Sequence, residues 1–407
     1  MTIQKYINKN KELHSALLAF LENAEDAENG CRELIHIIKT KKYEKNQNEF
    51  EHFLLLVVNI ANNHHRNTYF NEKIEKILLF FSQEIKQTFS NFQIFNISQN
   101  NKKILLFLIE NQILTVDERI SRDMINKNFC HFFFPEIKSF IEKDEIATIE
   151  NSFQEQDLVN FDHKRHIGEN DSYICQLIRQ DLIEDFVRYV TQTNISLNSC
   201  INNSIFETNL FLIEKKNTTL IEYATFFGSI QIFQYLTLND THFTSSLWLY
   251  SIHSQNAELI HILESNKVRP PNKINAINRN GLQQQKTDSY EKCFIESIKC
   301  HHNDIADYIN YTYLTENINE RTTFDESFYS LFFQYHNYSY FPNDINDNSL
   351  FFLLCLYNYN KLVKLYLQIH QSEIEETIDQ AISKSFLLIM FNKSIFFMNN
   401  IPNHNFY

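Results

Sequence analysis

Residues 217–238 read NTTLIEYATFFGSIQIFQYLTL, and residues 244–265 read TSSLWLYSIHSQNAELIHILES. A shift of 27 positions superposes them. Ile221 falls on Trp248, Ala224 on Ser251, Gly228 on Gln255, Ile232 and Phe233 on Leu259 and Ile260, and Leu236 on Leu263. Each segment has the pattern of an apolar helix, a tight turn and a second apolar helix. Neither pair can bury its apolar face alone, so the pairs must stack on neighbours. The expected fold is all-α, an α-solenoid of stacked helix pairs with a helical N-terminal region.

The same register recurs at Phe294, Ser297, His301, Ile305, Ala306 and Ile309, and at Phe351, Leu354, Asn358, Leu362, Val363 and Tyr366. It also fits Ile94, Ile97, Asn101, Leu105, Leu106 and Ile109. YICQLIRQDLIEDFVRYV (173–190) fits with one more residue in its turn. Upstream, Leu13, Ala16, Leu17, Phe20 and Leu21 lie at helical spacing, as do groups within 31–38, 49–61 and 70–88. The expected organisation is a helical N-terminal region over 1–88, a degenerate repeat and connector over 89–165, and repeats over 166–376. A capping helix and tail fill 377–407. Pro270-Pro271 and Asn280-Gly281 mark 267–289 as a polar loop. Pro135 ends HFFFP (131–135), a segment expected to be a buried connector.

Composition narrows the function classes. The chain has 407 residues and only 4 glycines, none close enough together to cradle phosphate. Phosphate loops, dinucleotide fingerprints and nucleophile elbows are absent. The formal net charge of −13 argues against nucleic-acid binding. The densest basic run, KTKKYEK (39–45), is expected to be a solvated helix end. No stretch has the uninterrupted apolar length of a membrane span, and the N-terminus lacks a signal-peptide core. Seven scattered cysteines without a Cys-x-x-Cys pair suggest a reducing, cytoplasmic setting and no disulfide framework.

Thr219, Ile221, Ala224, Gly228, Ile232, Phe233 and Leu236 sit where ankyrin repeats place their Thr-Pro-Leu-His start, paired Ala, turn Gly, paired Val and Leu-Leu. LIEYATFFGSIQIFQYL, SLWLYSIHSQNAELIHIL and ESIKCHHNDIADYI resemble more specifically a large protist family. In that family degenerate ankyrin repeats accompany a domain of unknown function. NNHHRN (62–67) and NNKKILLFLIE (100–110) resemble its N-terminal part. The resemblance spans roughly 50–375 and is strongest at 215–312. It implies an ankyrin-like fold and a generic role in protein–protein contact, and it brings no catalytic residue. The chain departs from the pattern at Leu220, which stands at the Pro position, and at Glu222, which stands at the His. Packing by Tyr223, Phe226, Phe227 and Trp248 is expected to replace the missing Thr-His network. The 27-residue step is shorter than the roughly 33 of ankyrin repeats, so short hairpin fingers are expected.

Several clusters admit both a chemical and a structural reading. His163 and His166 beside Asp162 and Glu169 have ligand-like spacing, but a polar linker is the expected reading. Cys293 and Cys300 share a packing face, with His301 and His302 in a polar turn. His64 and His65 read as a helix C-terminal cap. Glu184/Asp185 and Glu375/Glu376 read as solvated helix faces. No catalytic, cofactor or metal site is expected. The expected function is a non-enzymatic protein–protein interaction scaffold. The alternative is an adaptor whose repeats hold cargo while the N-terminal region holds an enzyme complex; a catalytic domain within 1–165 is a third option. Periodicity nominates Glu222, Thr225, Tyr250, His253, Glu296 and Lys299 as exposed first-helix positions for a protein partner.

Overall fold

The computed structural model describes residues 2–23, 27–67, 69–215, 217–239, 241–271, 289–314, 326–343, 345 and 348–369. The predicted capping helix at 377–398, the Glu375/Glu376 pair and most of the 267–289 loop lie outside them. The regular secondary structure of the described residues is all helical, with one isolated bridge between Cys200 and Thr219 and no strand. No described helix is long and apolar enough to cross a membrane.

Five helix pairs follow one plan. Their first helices are Tyr173–Arg179, Leu220–Phe227, Leu247–His253, Ser289–Cys300 and Asn348–Leu356. Their second helices are Ile183–Thr193, Ile230–Leu238, Ala257–Ser265, Asn303–Ile309 and Asn360–Ile369. A sixth first helix, Glu326–Gln334, precedes only a short 3-10 turn, Tyr338–Tyr340. Successive first helices pack on one another in chain order from Tyr173 to Leu356.

The turns explain why such different sequences make the same bend. Asp181, Gly228, Gln255, His301, His336 and Asn358 each end a first helix with a positive φ, between 50° and 72°. At five of them the next amide returns to a carbonyl five residues back. The bonds are Leu182 to Leu177, Ser229 to Ala224, His302 to Ser297, Asn337 to Phe332, and Tyr359 to Leu354, at 2.8–3.1 Å. This is the Schellman closure, which satisfies carbonyls that the helix end leaves open. Gly228 fits best, because it lacks the Cβ that the left-handed region penalises. A Cβ there would meet nothing nearer than Asn256 Nδ2 at 3.6 Å, so space is not the constraint. Gly228→Ala is therefore expected to destabilise by about 1 kcal/mol through backbone strain alone, measurable as a lower urea midpoint.

The Asn91–Ser98 and Lys102–Glu110 helices form the predicted 94 unit, but its turn closes differently. Asn101 caps the second helix through Oδ1, accepting from the Ile104 amide at 2.8 Å, and has φ −126°. This pair packs on Gln47–Asn63 in the N-terminal layer. That layer begins with Ile3–Glu22, whose last carbonyls are capped by a buried lysine. Lys73 Nζ donates to the carbonyls of Phe20, Leu21 and Asn23 at 2.9, 3.1 and 2.6 Å. A cation at a helix C-terminus is favoured by the helix dipole, so this buried charge has a partner.

Two expected connectors are ordered. Phe132 and Phe133 are buried, and Pro135 stands in the first turn of Phe134–Ile137, where no amide is needed. The polar 160s form a helix, Phe161–Ile167, closed by Gly168 at φ 72°. Its Arg165 is buried, with Nη1 2.8 Å from both Glu136 carboxylate oxygens. The expected linker is thus a structural element, because one ion pair anchors it to the connector.

Candidate functional site

The N-terminal layer lies along the turns of the helix pairs. Gln47–Asn63 packs on Ser289–Cys300, Asn360–Ile369 and Leu210–Glu214, and Ile3–Glu22 packs on Tyr338–Tyr340 and Asn360–Ile369. Histidines line the seam from both sides. His14 Nε2 meets His301 Nδ1 at 2.9 Å, and His52 Nδ1 meets His336 Nε2 at 3.0 Å. His52 Nε2 donates to the Asn358 carbonyl at 2.9 Å, and His64 Nδ1 to the Cys300 carbonyl at 2.8 Å. His64 Nε2 also stands 3.3 Å from Glu22 Oε1. His302 Nδ1 donates to the Ile252 carbonyl at 2.7 Å, while its Nε2 accepts from the His65 amide at 3.3 Å.

The bonding of His302 requires a neutral ring. A neutral imidazole offers one donor and one acceptor, and His302 uses both. Protonation would set an N–H at Nε2 against the amide N–H of His65. Burial acts in the same direction. It holds His14 down at about 3 and His65 at about 4, with the neighbouring His64 adding to both. His52, His301, His302 and His336 are also lowered, burial being the leading cause in each.

Burial overturns the expected exposure of the first-helix positions. Glu222, Thr225, Tyr250 and His253 are buried, and Glu296 and Lys299 are half-buried. The segment between the first two pairs folds back over them as the short helix Leu210–Glu214. Phe211 packs on Tyr250 and His253 with ring centroids 4.9 and 4.1 Å apart. Glu222 completes a capping box, accepting from the Thr219 amide at 2.9 Å and also from Ser246 Oγ at 2.5 Å. Thr225 Oγ1 donates to the Ile221 carbonyl at 2.7 Å. Tyr250 shares a hydrogen bond with Thr218 at 3.2 Å. All four serve the fold.

The other two join a buried cluster. His253 Nε2 stands 3.0 Å from Glu296 Oε1, and Lys299 Nζ donates to Glu296 Oε2 at 3.4 Å. Burial opposes ionisation of Glu296, but the His253 bond and the Lys299 charge outweigh it and hold the carboxyl at about 2. Cys300 Sγ is 3.8 Å from His253 Nε2 and 3.4 Å from Nδ1. His253, Glu296 and Cys300 are the one grouping of metal-ligating side chains found among the described residues. His163 and His166 form no such group. His163 is exposed, and His166 turns to Glu110 at 3.0 Å.

A second polar feature is a cavity of about 250 Å³ lined by Lys102, Asn170, Asn202, Ser204 and Glu207. Burial lowers Lys102 to about 8. Its Nζ is held by the Glu207 carbonyl at 3.1 Å, and the Glu207 carboxylate accepts the Asn170, Thr208 and Asn209 amides. The pair thereby shapes the 200–210 loop.

The seven cysteines form no disulfide. Lys39 and Lys41 of the basic run pair with Glu84 and Glu12. No protein-family model, curated protein or solved structure matches this chain.

Proposed function

We propose that this protein is a non-enzymatic interaction scaffold of degenerate, ankyrin-like helix pairs, held in a closed form by its own N-terminal helices. The observation that supports the reading is that the turn side of the pairs already grips a helix. Gln47–Asn63 and the cap that follows it are bound through His52 to the Asn358 carbonyl and through His64 to the Cys300 carbonyl. A surface that holds one amphipathic helix this way suits a partner helix that displaces it.

The closed form dictates how to test the reading. Residues 166–407 alone would expose the turn side of the pairs to water, so this fragment is expected to aggregate in size-exclusion chromatography while the full chain stays dispersed. Partners are better captured with the intact chain and with a seam variant, His14→Ala/His52→Ala, both tagged and read by mass spectrometry. The scaffold reading expects the variant to recover more of one specific protein. Equal recovery by both forms would place the binding surface elsewhere. An enzyme complex recovered only by the closed chain would favour the adaptor.

A further inference from the structure

We propose that His253, Glu296 and Cys300 form a binding site for one zinc ion that clips two neighbouring first helices together. Glu296 and Cys300 are one helical turn apart on Ser289–Cys300, so both project from one face. His253 ends Leu247–His253, the first helix packed beside it. One ligand atom from each of His253, Glu296 and Cys300 lies within 4.8 Å of the other two. The Nε2–Oε1 and Nε2–Sγ separations are 3.0 and 3.8 Å. Cys300 Sγ lies beside the imidazole, nearer Nδ1 than Nε2, so the roughly 2.0–2.3 Å bonds that zinc makes to nitrogen, oxygen and sulfur require the thiol to turn towards Oε1 as the ion binds.

The surroundings suit a resident ion. One sulfur, one nitrogen and one oxygen donor select a borderline transition metal over calcium or magnesium, which prefer oxygen alone. Thiolate and carboxylate together neutralise a divalent charge, so the loaded site would bury no net charge from its ligands and ion. Lys299 holds the other carboxylate oxygen and leaves Oε1 facing the site. Phe211 and Phe226 pack on the imidazole at 4.1 and 5.2 Å and restrict its orientation. Glu296 and Lys299 have side chains 12% and 30% exposed, which gives an ion a route in from solvent. Without the ion, burial keeps the Cys300 thiol protonated. On binding, the sulfur–metal bond forms as the S–H bond breaks, and one proton leaves to water.

The test uses the full chain, stripped with a chelator and titrated with cobalt(II) as a coloured stand-in for zinc. One equivalent should bind with a sulfur-to-cobalt charge-transfer band in the near ultraviolet, and zinc should bleach it. Cys300→Ser should abolish the band while circular dichroism stays native. Absence of the band in the wild-type chain overturns the proposal. So does its persistence in Cys300→Ser, which would assign the sulfur to one of the other six cysteines. If Cys300→Ser does not fold, Glu296→Gln keeps the sulfur and serves instead. Its zinc affinity should fall at least tenfold, and an unchanged affinity overturns the site.

Discussion

Taking the protein from pH 7.5 to pH 5 is expected to open the seam and remove several kcal/mol of stability. The sign follows from the histidines. His14 titrates at about 3 in the closed form, against about 6.5 in an open or unfolded chain. Between those values the open chain binds a proton that the closed one refuses, so stability rises with pH across this window. It is fully present above about 6.5 and is lost as pH falls towards 3. At pH 5, His14 alone accounts for about 2 kcal/mol, and His65, held at about 4, for a similar amount. His52, His301, His302 and His336 act in the same direction. Glu207 acts against them, because burial raises its carboxyl and protonation relieves the buried charge. Glu22 is lowered, chiefly by its bond to His64, and adds to the acid loss only nearer its own titration. Urea midpoints at the two pH values measure the total. Amide exchange in Gln47–Asn63 at pH 5 and 7.5, corrected for intrinsic rates, locates the opening. Unchanged protection there would refute the histidine account.

Replacing Trp248 with Ala should cost about 4 kcal/mol. The single tryptophan is fully buried in the first turn of the Leu247–His253 helix, and large aromatic truncations in cores cost about 3–5 kcal/mol. Its ring meets Tyr290 at 5.4 Å and Tyr313 at 6.2 Å, so it ties the second 27-residue unit to the next pair. Nε1 also donates to the Val268 carbonyl at 2.7 Å, a bond that fastens the chain just after Ala257–Ser265. Trp248→Phe keeps much of the packing and leaves that carbonyl unsatisfied, so a smaller loss, about 1–3 kcal/mol, is expected. Urea unfolding followed by circular dichroism compares the three proteins. Equal losses for Ala and Phe would show that the hydrogen bond, not the packing, carries the effect.

The register of the helix pairs was legible because the turn demands it. Ala224, Ser297 and Leu354 match in sequence, and all three supply the carbonyl that closes a left-handed turn. The 173–190 unit obeys the same rule through Leu177, and its turn at Asp181 is no longer than the one at Gly228, so the extra residue expected in it is not there. The Glu326–Gln334 unit escaped notice because its second helix shrinks to Tyr338–Tyr340, leaving no eight-residue apolar echo to align. The signal present there was His336 followed by Asn337, a turn residue without its second helix.

The histidine seam is not legible in the sequence, for a different reason. His301 and His302 do occupy a turn, but they are buried, because Ile3–Glu22 and Gln47–Asn63 come from hundreds of residues away to cover them. Nothing local distinguishes a solvated polar turn from one that faces a second layer.

Helical class, pair register and turn positions follow from spacing, since i to i+4 periodicity and a left-handed residue at the helix end act over a few residues. Which side of the pairs meets water, and which histidines and carboxylates meet one another, depends on long-range packing. Phe211 over His253, His14 against His301 and His253 beside Glu296 and Cys300 arise only when separate elements exclude water together. That exclusion is a property of the assembled layers, and no stretch of this chain encodes it alone.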